Sequence, residues 1–443
     1  MNKFLTSRFF RFIWSAAIAI LLYFACPPCF SQTTLLIILA VLFLLVNLSE
    51  WIAKATVVTH VARVLVGGLF IFSGFIKAND PLGFSYKLEE YFEVFKGDTG
   101  LGLFESMAHM ALPFAILICF SEMALGVMLL VGFKRELTLW LLFAQIAFFT
   151  FLTFYSACYN KVTHCGCFGD FLKLRPWESF WKDVALMILI TLLFAGKENI
   201  NPPMAPMISH ALLVVGIALS LWFPIYAYRN LPPIDFRAYA PGMNIRKNME
   251  KGEGYKDPVY QSMLVYENLK TGELKELNQD DFMKSKIWED TLNWKWHATD
   301  NKLIAEAVNP PLITDFTVND ALGNNLTDSL LNDKGYSVWI IMHQLDKTTT
   351  DAKVMAQIMD FVKLAGQDGI KVHGFTSSSV EEIEKFKKAN GFDFPVYNAD
   401  NIVLKTMIRS NPGFMLMKEG TVITNWHYRN MPVYSELKGK FIK

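Results

Sequence analysis

Seven apolar stretches, each close to the length that crosses a lipid bilayer as a helix, lie within the first 230 residues. Their approximate bounds are 11–27, 34–51, 60–77, 109–132, 136–156, 179–196 and 208–227. Residues 1–230 contain 16 Lys/Arg and 13 Asp/Glu, about half the charged fraction of an ordinary soluble domain, whereas residues 231–443 contain 26 and 28. The sequence therefore predicts an α-helical polytopic membrane bundle of about seven transmembrane helices, followed by a water-soluble half.

Charges at the helix ends predict the orientation of this bundle. Lys3, Arg8 and Arg11 precede the first apolar stretch, which favours a cytoplasmic N-terminus. Seven crossings then place the C-terminal half outside the cytoplasmic (inner) membrane. The turn at Lys134–Arg135 falls inside and the acidic segment 80–105 outside, which agrees with this orientation.

The first helix has a second interpretation. A basic start, an apolar run and small residues near Ala25 are also typical of a secretory signal peptide. Cleavage there would remove one crossing and leave every later loop on the same side. The uncleaved helix and the cleaved signal peptide both remain open.

All six cysteines lie in the membrane half, and four of them form two close pairs. Cys26 and Cys29 flank two prolines at the outer end of the first helix. A Cys-x-x-Cys spacing allows one thiol to attack a disulfide and the other to resolve the mixed disulfide. A structural disulfide or two buried thiols are the alternatives for this pair.

The second pair, Cys165 and Cys167, follows the fifth apolar stretch and is predicted on the same outer face. Gly166 permits the small ring of a Cys-x-Cys disulfide, and a strained disulfide of this kind tends to be labile. His164 next to the pair lowers a thiol pKa when it is protonated. A structural clip and a metal site of His164 with both thiols are the alternatives, although a closed metal site needs a fourth ligand. We expect the other two cysteines, Cys119 and Cys158, to be packing residues.

Glu122 is predicted near the middle of the fourth apolar stretch. A carboxylate at that depth is costly and marks a functional-site candidate that faces the bundle interior. A protonated, hydrogen-bonded structural role is the alternative. At the outer end of the third stretch, Lys77 and Asp80 either pair with each other or approach Glu122, and snorkelling of Lys77 to the interface is the simpler expectation. Small residues nearby, from Gly67 to Gly74, predict close helix packing.

Three runs in this half resemble the MauE/DoxX family of redox-associated membrane proteins. They are GLFIFSGFIKANDP at 68–81, Ser121-Glu122 with Gly126, and CGCFG at 165–169. The similarity covers roughly residues 57–197 and implies a four-helix core with a role in extracytoplasmic disulfide chemistry, as in methylamine utilisation. The chain departs from the family in its extra N-terminal helices with their Cys-Pro-Pro-Cys, a further helix and a long soluble tail, and the methylamine substrate is not carried over.

The soluble half begins with a proline-rich linker at Leu231 and a predicted β-hairpin at 258–280. From residue 311 strands and helices alternate, which predicts an α/β domain with a parallel-cored sheet. The predicted strands are 313–318, 337–342, 370–375, 394–397, 413–417 and 421–427, and the predicted helices are about 350–365, 379–389, 400–409 and 434–442. Ser379 and Glu382 form a capping box at the start of one helix.

This order resembles the thioredoxin fold, in the form of the TlpA or peroxiredoxin type, over about residues 311–443. By that resemblance Pro412 is the cis-proline before the penultimate strand, which contacts the active-site dithiol in the family. The family's Cys-x-x-Cys would follow the strand that ends at Met342, but the chain reads His343-Gln344-Leu345-Asp346 there. The domain therefore lacks the catalytic thiols, and His343 and His373 are expected to be ordinary histidines.

These features predict four domains: an N-terminal hairpin (1–52), a MauE/DoxX-like bundle (53–230), an extracytoplasmic linker with a β-hairpin (231–310) and a thioredoxin-like domain (311–443). The first functional hypothesis is a thiol–disulfide relay through Cys165/Cys167 and Cys26/Cys29, with Glu122 handling protons and Pro412 binding a partner. The second is a membrane-anchored scaffold with static disulfides, whose tail binds an envelope or secreted protein. A transporter or metal-handling protein is a third, weaker class.

The expected partners are membrane lipid and an extracytoplasmic protein substrate or redox partner. The net charge is +1 without a block of basic residues, which argues against nucleic acid. The sequence identifies no bound cofactor. A quinone would be a reasonable terminal electron acceptor, but no residue indicates one.

Overall fold

Helices form the first half of the chain in this computed structural model, which describes residues 56–159, 161–162, 168–172, 174–305 and 307–442. The apolar stretches predicted at 11–27 and 34–51 lie outside the described residues. The helices of this half are α1 (Thr56–Asn79), α2 (Pro81–Thr99), α3 (Gly102–His109), α4 (Ala111–Val131), α5 (Arg135–Tyr159), α6 (Pro176–Ala195) and α7 (Pro206–Arg229).

In the described part of the chain, four helices are long and apolar enough to cross a membrane. They are α1, α4, α5 and α7. The sixth predicted crossing, 179–196, is also helical and corresponds to α6, whose first turns carry Glu178, Lys182 and Asp183. The protein is thus a multi-pass helical membrane protein. Most of the acidic segment 80–105 is helical. It forms α2 and the start of α3.

The central contact of the bundle is the packing of α1 on α4. A Cβ atom on Gly126 would lie 2.7 Å from the carbonyl oxygen of Gly67, and one on Gly74 would lie 2.9 Å from the Cβ of Glu122. Gly67 and Gly74 therefore permit the close approach that the sequence predicted. Gly68 has open space around it and contributes nothing to this contact.

A buried arginine closes the opposite end of α4. The Arg63 guanidinium donates to the carbonyl oxygens of Leu129 (2.9 Å), Leu130 (2.7 Å) and Asn201 (2.8 Å). The last carbonyl groups of a helix have no partner within it, and the helix dipole favours a cation there. Arg63 satisfies these groups, which stabilises the junction of α1 with α4.

The soluble half contains two sheets. The first is antiparallel, in the order β2–β1–β3, with β1 (Val259–Asn268), β2 (Leu274–Leu277) and β3 (Trp294–Ala305). The predicted hairpin at 258–280 corresponds to β1 and β2. The third strand was missed because its apolar alternation, which begins at Trp294 and Trp296, stops at the polar run Asp300-Asn301-Lys302.

The second sheet has six strands in the order β4–β7–β6–β5–β8–β9. β5, β6 and β7 are parallel, and β8 and β9 extend the sheet as an antiparallel hairpin. The strands are β4 (Val318–Asn319), β5 (Tyr336–Ile341), β6 (Lys371–Thr376), β7 (Val396–Ala399), β8 (Gly413–Lys418) and β9 (Thr421–His427). This is the predicted thioredoxin-like α/β arrangement, although β4 is a two-residue strand instead of the full run 313–318.

Short and long helices pack around the two sheets. Within the soluble half they are α8 (Ile245–Met249), α9 (Gln279–Ser285), α10 (Thr327–Leu331), α11 (Ala352–Gln367), α12 (Val380–Asn390), α13 (Asn401–Met407) and α14 (Tyr434–Phe441). The four helices predicted from the sequence are α11 to α14. The capping box at the start of α12 is formed by Ser379 and Glu382, and the bond between Asn411 and Pro412 is cis, both as expected.

Replacement of Gly126 by alanine tests the α1–α4 contact. The added Cβ meets backbone, so we expect Gly126→Ala to lower the free energy of unfolding by about 1–3 kcal/mol. Gly97→Ala is the matched control, because Gly97 lies in α2 with nothing within 4 Å of its Cβ position, and it should stabilise by about 0.5–1 kcal/mol. Thermal unfolding of the purified protein in detergent measures both, and equal midpoints for the two variants would contradict the close packing.

Candidate functional site

The four cysteines predicted to carry redox chemistry lie outside the described residues. These are Cys26, Cys29, Cys165 and Cys167, and His164 is outside them as well. Their roles and pairing therefore remain predictions. Cys119 is buried in the core between the helices, and Cys158 packs beside Phe154 and Phe180, which agrees with the predicted packing roles.

Glu122 faces the bundle interior, where it forms a buried ion pair with Lys77. The Lys77 Nζ lies 2.8 Å from both carboxylate oxygens of Glu122 and donates to the Oγ of Ser73 at 2.6 Å. The two side chains are only 2% and 4% exposed. The expectation that Lys77 snorkels to the interface is wrong, because a carboxylate within reach holds the ammonium group in the interior.

The surroundings of this pair are aromatic and largely apolar. The Lys77 Nζ lies 4.9 Å from the ring centroid of Phe149 and 5.7 Å from that of Phe84. A charge in such a place is tolerated only when it is paired, so each partner of the pair compensates the other. The pair joins α1 to α4 at the level where Gly74 allows the backbones to approach.

Asp80 does not pair with Lys77, which was one of the two arrangements that the sequence allowed. Its carboxylate caps α2 by accepting from the backbone N–H of Gly83 at 2.9 Å. The Nε–H of Arg409 in the thioredoxin-like domain also donates to this carboxylate and lies 2.8 and 3.0 Å from its two oxygens. The C-terminal end of α1 thus connects the bundle to the soluble tail.

Further charged side chains surround Arg409. Its Nη2 lies 3.4 Å from the Oδ2 of Asp170, and Lys405, one turn earlier, lies 3.7 Å from Glu89. Both cations contact the ring of Tyr86, with Lys405 at 4.5 Å and Arg409 at 5.7 Å from its centroid. Burial raises the pKa of Tyr86 to about 12, so its hydroxyl stays neutral. Sequence reasoning missed this cluster, because its members are far apart in the chain.

Pro412 lies buried in the loop that follows Arg409. The side chain of Asn411 donates to the carbonyl oxygen of Gln344 at 3.2 Å and accepts from the hydroxyl of Thr348 at 2.9 Å. The Ser410 hydroxyl donates to the Pro412 carbonyl oxygen at 2.5 Å. The segment that occupies the place of the family's Cys-x-x-Cys is therefore tied to the Pro412 loop by Asn411.

The two histidines that the sequence predicted to be ordinary are buried in the thioredoxin-like domain. Burial lowers the pKa of His343 and of His373 to about 4, so both are neutral at pH 7. His427 at the end of β9 has a pKa lowered to about 4 for the same reason.

A second buried carboxylate was missed by the sequence reasoning. Asp183 in α6 is 0% exposed, forms an ion pair with Lys182 at 2.5 Å and accepts from the hydroxyl of Thr153 at 3.1 Å. The Lys182 Nζ lies 5.4 Å from the ring centroid of Phe168. The adjacent acid and base in the apolar stretch 179–196 were the signal that could have identified this pair.

Metal ligands do not cluster in the described part of the chain, where no three His, Cys, Asp or Glu residues come together. The predicted alternative of a metal held by His164, Cys165 and Cys167 lies outside the described residues and is not addressed by this finding.

Comparison with known proteins identifies the membrane part. Residues 55–196 match the family model of the methylamine utilisation protein MauE. The membrane part of the chain is of the MauE type. The matched range runs from α1 to the end of α6 and includes Lys77, Glu122 and Asp170, so these residues belong to the MauE-type part.

One curated relative is protein TlpB of Flavobacterium psychrophilum, which is 26% identical over 172 residues. The match covers 38% of this chain and 43% of TlpB, so the chain spans less than half the length of this relative. Among solved structures, the solution structure of a candidate protein disulfide isomerase from Bacteroides thetaiotaomicron is 17% identical, with a TM-score of 0.23. That match covers 28% of this chain and 82% of the other. The protein thus combines a MauE-type membrane part with a thioredoxin-like domain, whose fold is seen in its strand order.

Removal of one partner of the buried pair tests its importance. We expect Lys77→Met to lower the free energy of unfolding by about 3–5 kcal/mol, because it leaves the Glu122 carboxylate unpaired in the interior. Lys77→Met with Glu122→Leu should recover most of the loss. Lys87→Met is the matched control, since the Lys87–Glu90 pair is exposed and contributes no more than about 1 kcal/mol. Thermal unfolding in detergent gives the comparison, and equal effects of Lys77→Met and Lys87→Met would contradict this role.

The buried histidines predict a pH dependence of stability. The folded protein holds them neutral down to about pH 4, whereas the unfolded chain protonates them below about pH 6.5. The unfolded state therefore binds more protons between these values, and the free energy of unfolding falls as the pH drops through this window. His343→Gln should give a smaller decrease in thermal midpoint between pH 7 and pH 5 than the wild type. Equal slopes for the two proteins would show that His343 does not contribute.

Proposed function

We propose that this protein is the membrane-embedded component of an extracytoplasmic thiol–disulfide relay, in which Cys165/Cys167 and Cys26/Cys29 exchange disulfides with each other and with a partner protein. It would act as a thiol–disulfide oxidoreductase component of the cytoplasmic membrane, with its C-terminal domain on the outer side. The proposed division of the chain is 1–52, 53–230, 231–310 and 311–443.

The chemistry of the relay is ordinary thiol–disulfide exchange. A thiolate of one pair attacks a sulfur of the other disulfide, the S–S bond breaks, and the displaced sulfur leaves as a thiolate. The second thiol of the attacking pair then resolves the mixed disulfide, so two electrons pass from the pair that becomes oxidised to the one that becomes reduced. The protons come from or go to the solvent at the outer face, and Glu122 is the proposed proton-handling group within the bundle.

The observation that carries the proposal is the fixing of the segment that directly follows Cys167. The Phe168 ring packs against Phe72 at 5.9 Å and near Ile76 of the bundle, whereas Phe171 packs against Phe236 of the linker at 5.1 Å. Asp170, between them, contacts Arg409 at the start of the Pro412 loop. Residues 168–171, which follow the Cys-Gly-Cys run in the sequence, therefore lie at the junction of the bundle with the thioredoxin-like domain.

The thioredoxin-like domain has a binding role in this proposal. Residues 231–443 contain no cysteine, so the domain cannot exchange disulfides itself. In thioredoxins the cis-proline contacts the active-site dithiol, and the resemblance gives Pro412 this position. We therefore propose that the surface beside the Pro412 loop binds the partner and brings its thiols to the membrane part.

A scaffold with static disulfides is the second candidate. It is favoured by the buried position of Pro412 and by the hydrogen bonds of Asn411 to Gln344 and Thr348, which fill the place of a reactive dithiol with fixed contacts. In this case the outer cysteine pairs are structural clips and the tail alone binds an envelope protein.

The redox state of the cysteine pairs in intact cells distinguishes the two candidates. After acid quenching and maleimide labelling, the relay predicts a mixture of reduced and oxidised forms that shifts within minutes of adding dithiothreitol or an oxidant. Cys165→Ser should leave Cys26/Cys29 in a single redox state or trap a mixed disulfide that a reducing gel resolves, because Cys167 then has no resolving partner.

Cys119→Ser is the matched control, since Cys119 is buried in the bundle core and should leave the pattern of the wild type unchanged. Pairs that stay fully oxidised in the wild type until the protein is denatured, with the state of Cys26/Cys29 unchanged in Cys165→Ser, would refute the relay and support the scaffold.

A further inference from the structure

The thioredoxin-like domain meets the bundle through charged and polar side chains. Arg409 contacts Asp80 and Asp170, and Lys405 contacts Glu89. A second point of contact joins Asn430 to Asn230 at 2.6 Å. Three bundle carboxylates, Asp80, Glu89 and Asp170, thus converge on two cations of the tail; we call these three residues the acidic corner.

The two cations have a common origin in the tail. Lys405 lies in α13 and Arg409 follows two residues after the end of this helix, and both lie on the side of the domain that contacts the bundle. They lie immediately before the Pro412 loop, and the ring of Tyr86 from α2 contacts both. The side of the domain that carries Pro412 is therefore the side that faces the bundle.

We propose that Lys405 and Arg409 form a carboxylate-binding surface whose resident ligand is the acidic corner of the same chain, so that an acidic segment of a partner protein occupies this surface only after displacing the bundle. The proposal concerns the docking of the domain and holds whether or not the thiol relay operates.

The contact between the tail and the bundle can be released, because it is formed by charged side chains. Arg409 is 7% exposed and its charge is matched by the two carboxylates of Asp80 and Asp170. Desolvation of such a cluster offsets much of its attraction, so it determines orientation and specificity more than affinity. Polar interfaces between domains of one chain resemble transient interfaces, for which relative motion is the usual behaviour. The docked state is consequently specific but open to competition.

The acidic corner also fixes where the domain can dock. Asp80 is held by its own capping contact with Gly83, so its carboxylate is pre-oriented before Arg409 binds. Asn79 next to it exchanges two hydrogen bonds, of 2.7 and 3.0 Å, with the backbone of Ile234 in the linker. The linker and the cation cluster are thereby anchored to adjacent residues of the bundle, which selects one orientation of the tail.

Hydrogen exchange of the full-length protein in lipid nanodiscs tests this proposal. We expect Arg409→Gln to increase amide exchange about tenfold or more on both sides of the contact, in residues 81–99 of the bundle and in residues 401–412 of the tail, because undocking exposes both. Asp80→Asn should have the same two-sided effect, since asparagine keeps the helix cap and removes only the charge.

Lys438→Gln is the matched control. It removes a cation that pairs with Asp368, away from the acidic corner, and should leave exchange in both regions unchanged. Amide exchange in β5 and β8 shows whether the domain remains folded. If Arg409→Gln unfolds the domain, the exchange of Asp80→Asn alone decides whether the proposal holds. An increase confined to the tail, or no increase in either variant, would overturn the proposal. The redox state of the cysteines does not enter this readout, so a failure of the relay would leave the result unaffected.

Discussion

Four consecutive residues at the C-terminal end of α1, Lys77 to Asp80, connect the interior of the bundle to the soluble tail. Lys77 is paired with Glu122 because the interior offers no water to solvate either charge. Asn79 holds the linker at Ile234, and Asp80 holds Arg409 of the thioredoxin-like domain. The contact of α1 with α4 and the placement of the tail therefore both depend on this four-residue segment. Its two charged side chains, Lys77 and Asp80, are paired with Glu122 and Arg409.

The elements of the fold were largely predictable because their signals are local. Apolar length gave the helices of the bundle, and alternation of strands with amphipathic helices gave the order of the thioredoxin-like sheet. The strand β3 was missed because the middle of its sequence is polar. Pairing with β1, and not an apolar pattern, determines its position in the sheet. In each correct case the information lies within a few residues, and in the missed case it comes from a neighbouring strand.

The candidate site was only partly predictable, for the opposite reason. Depth in an apolar stretch identified Glu122, but nothing in the sequence indicated whether Lys77 turns inward to it or outward to the interface. The partner of Asp80 is Arg409, which lies 329 residues away in the chain. No spacing rule connects such positions, and the choice between alternative ion pairs is made only when the tail folds back on the bundle. The position of Pro412 could be predicted from the fold resemblance, whereas its burial could not.

A thioredoxin-like domain without thiols can influence redox chemistry only through what it binds and where it is held. Its sheet and its cis-proline loop are present without the family's dithiol, and Asn411 bonds to the segment that lies in the place of the dithiol. The electrons of the proposed relay would then pass through the membrane part alone, and the tail would control which thiols come near it. Arg409 joins the Pro412 loop to Asp170, which lies three residues after Cys167 in the sequence. The position of the tail is therefore coupled to the position of the segment around Asp170. Docking of the domain and access to the outer cysteines should accordingly change together.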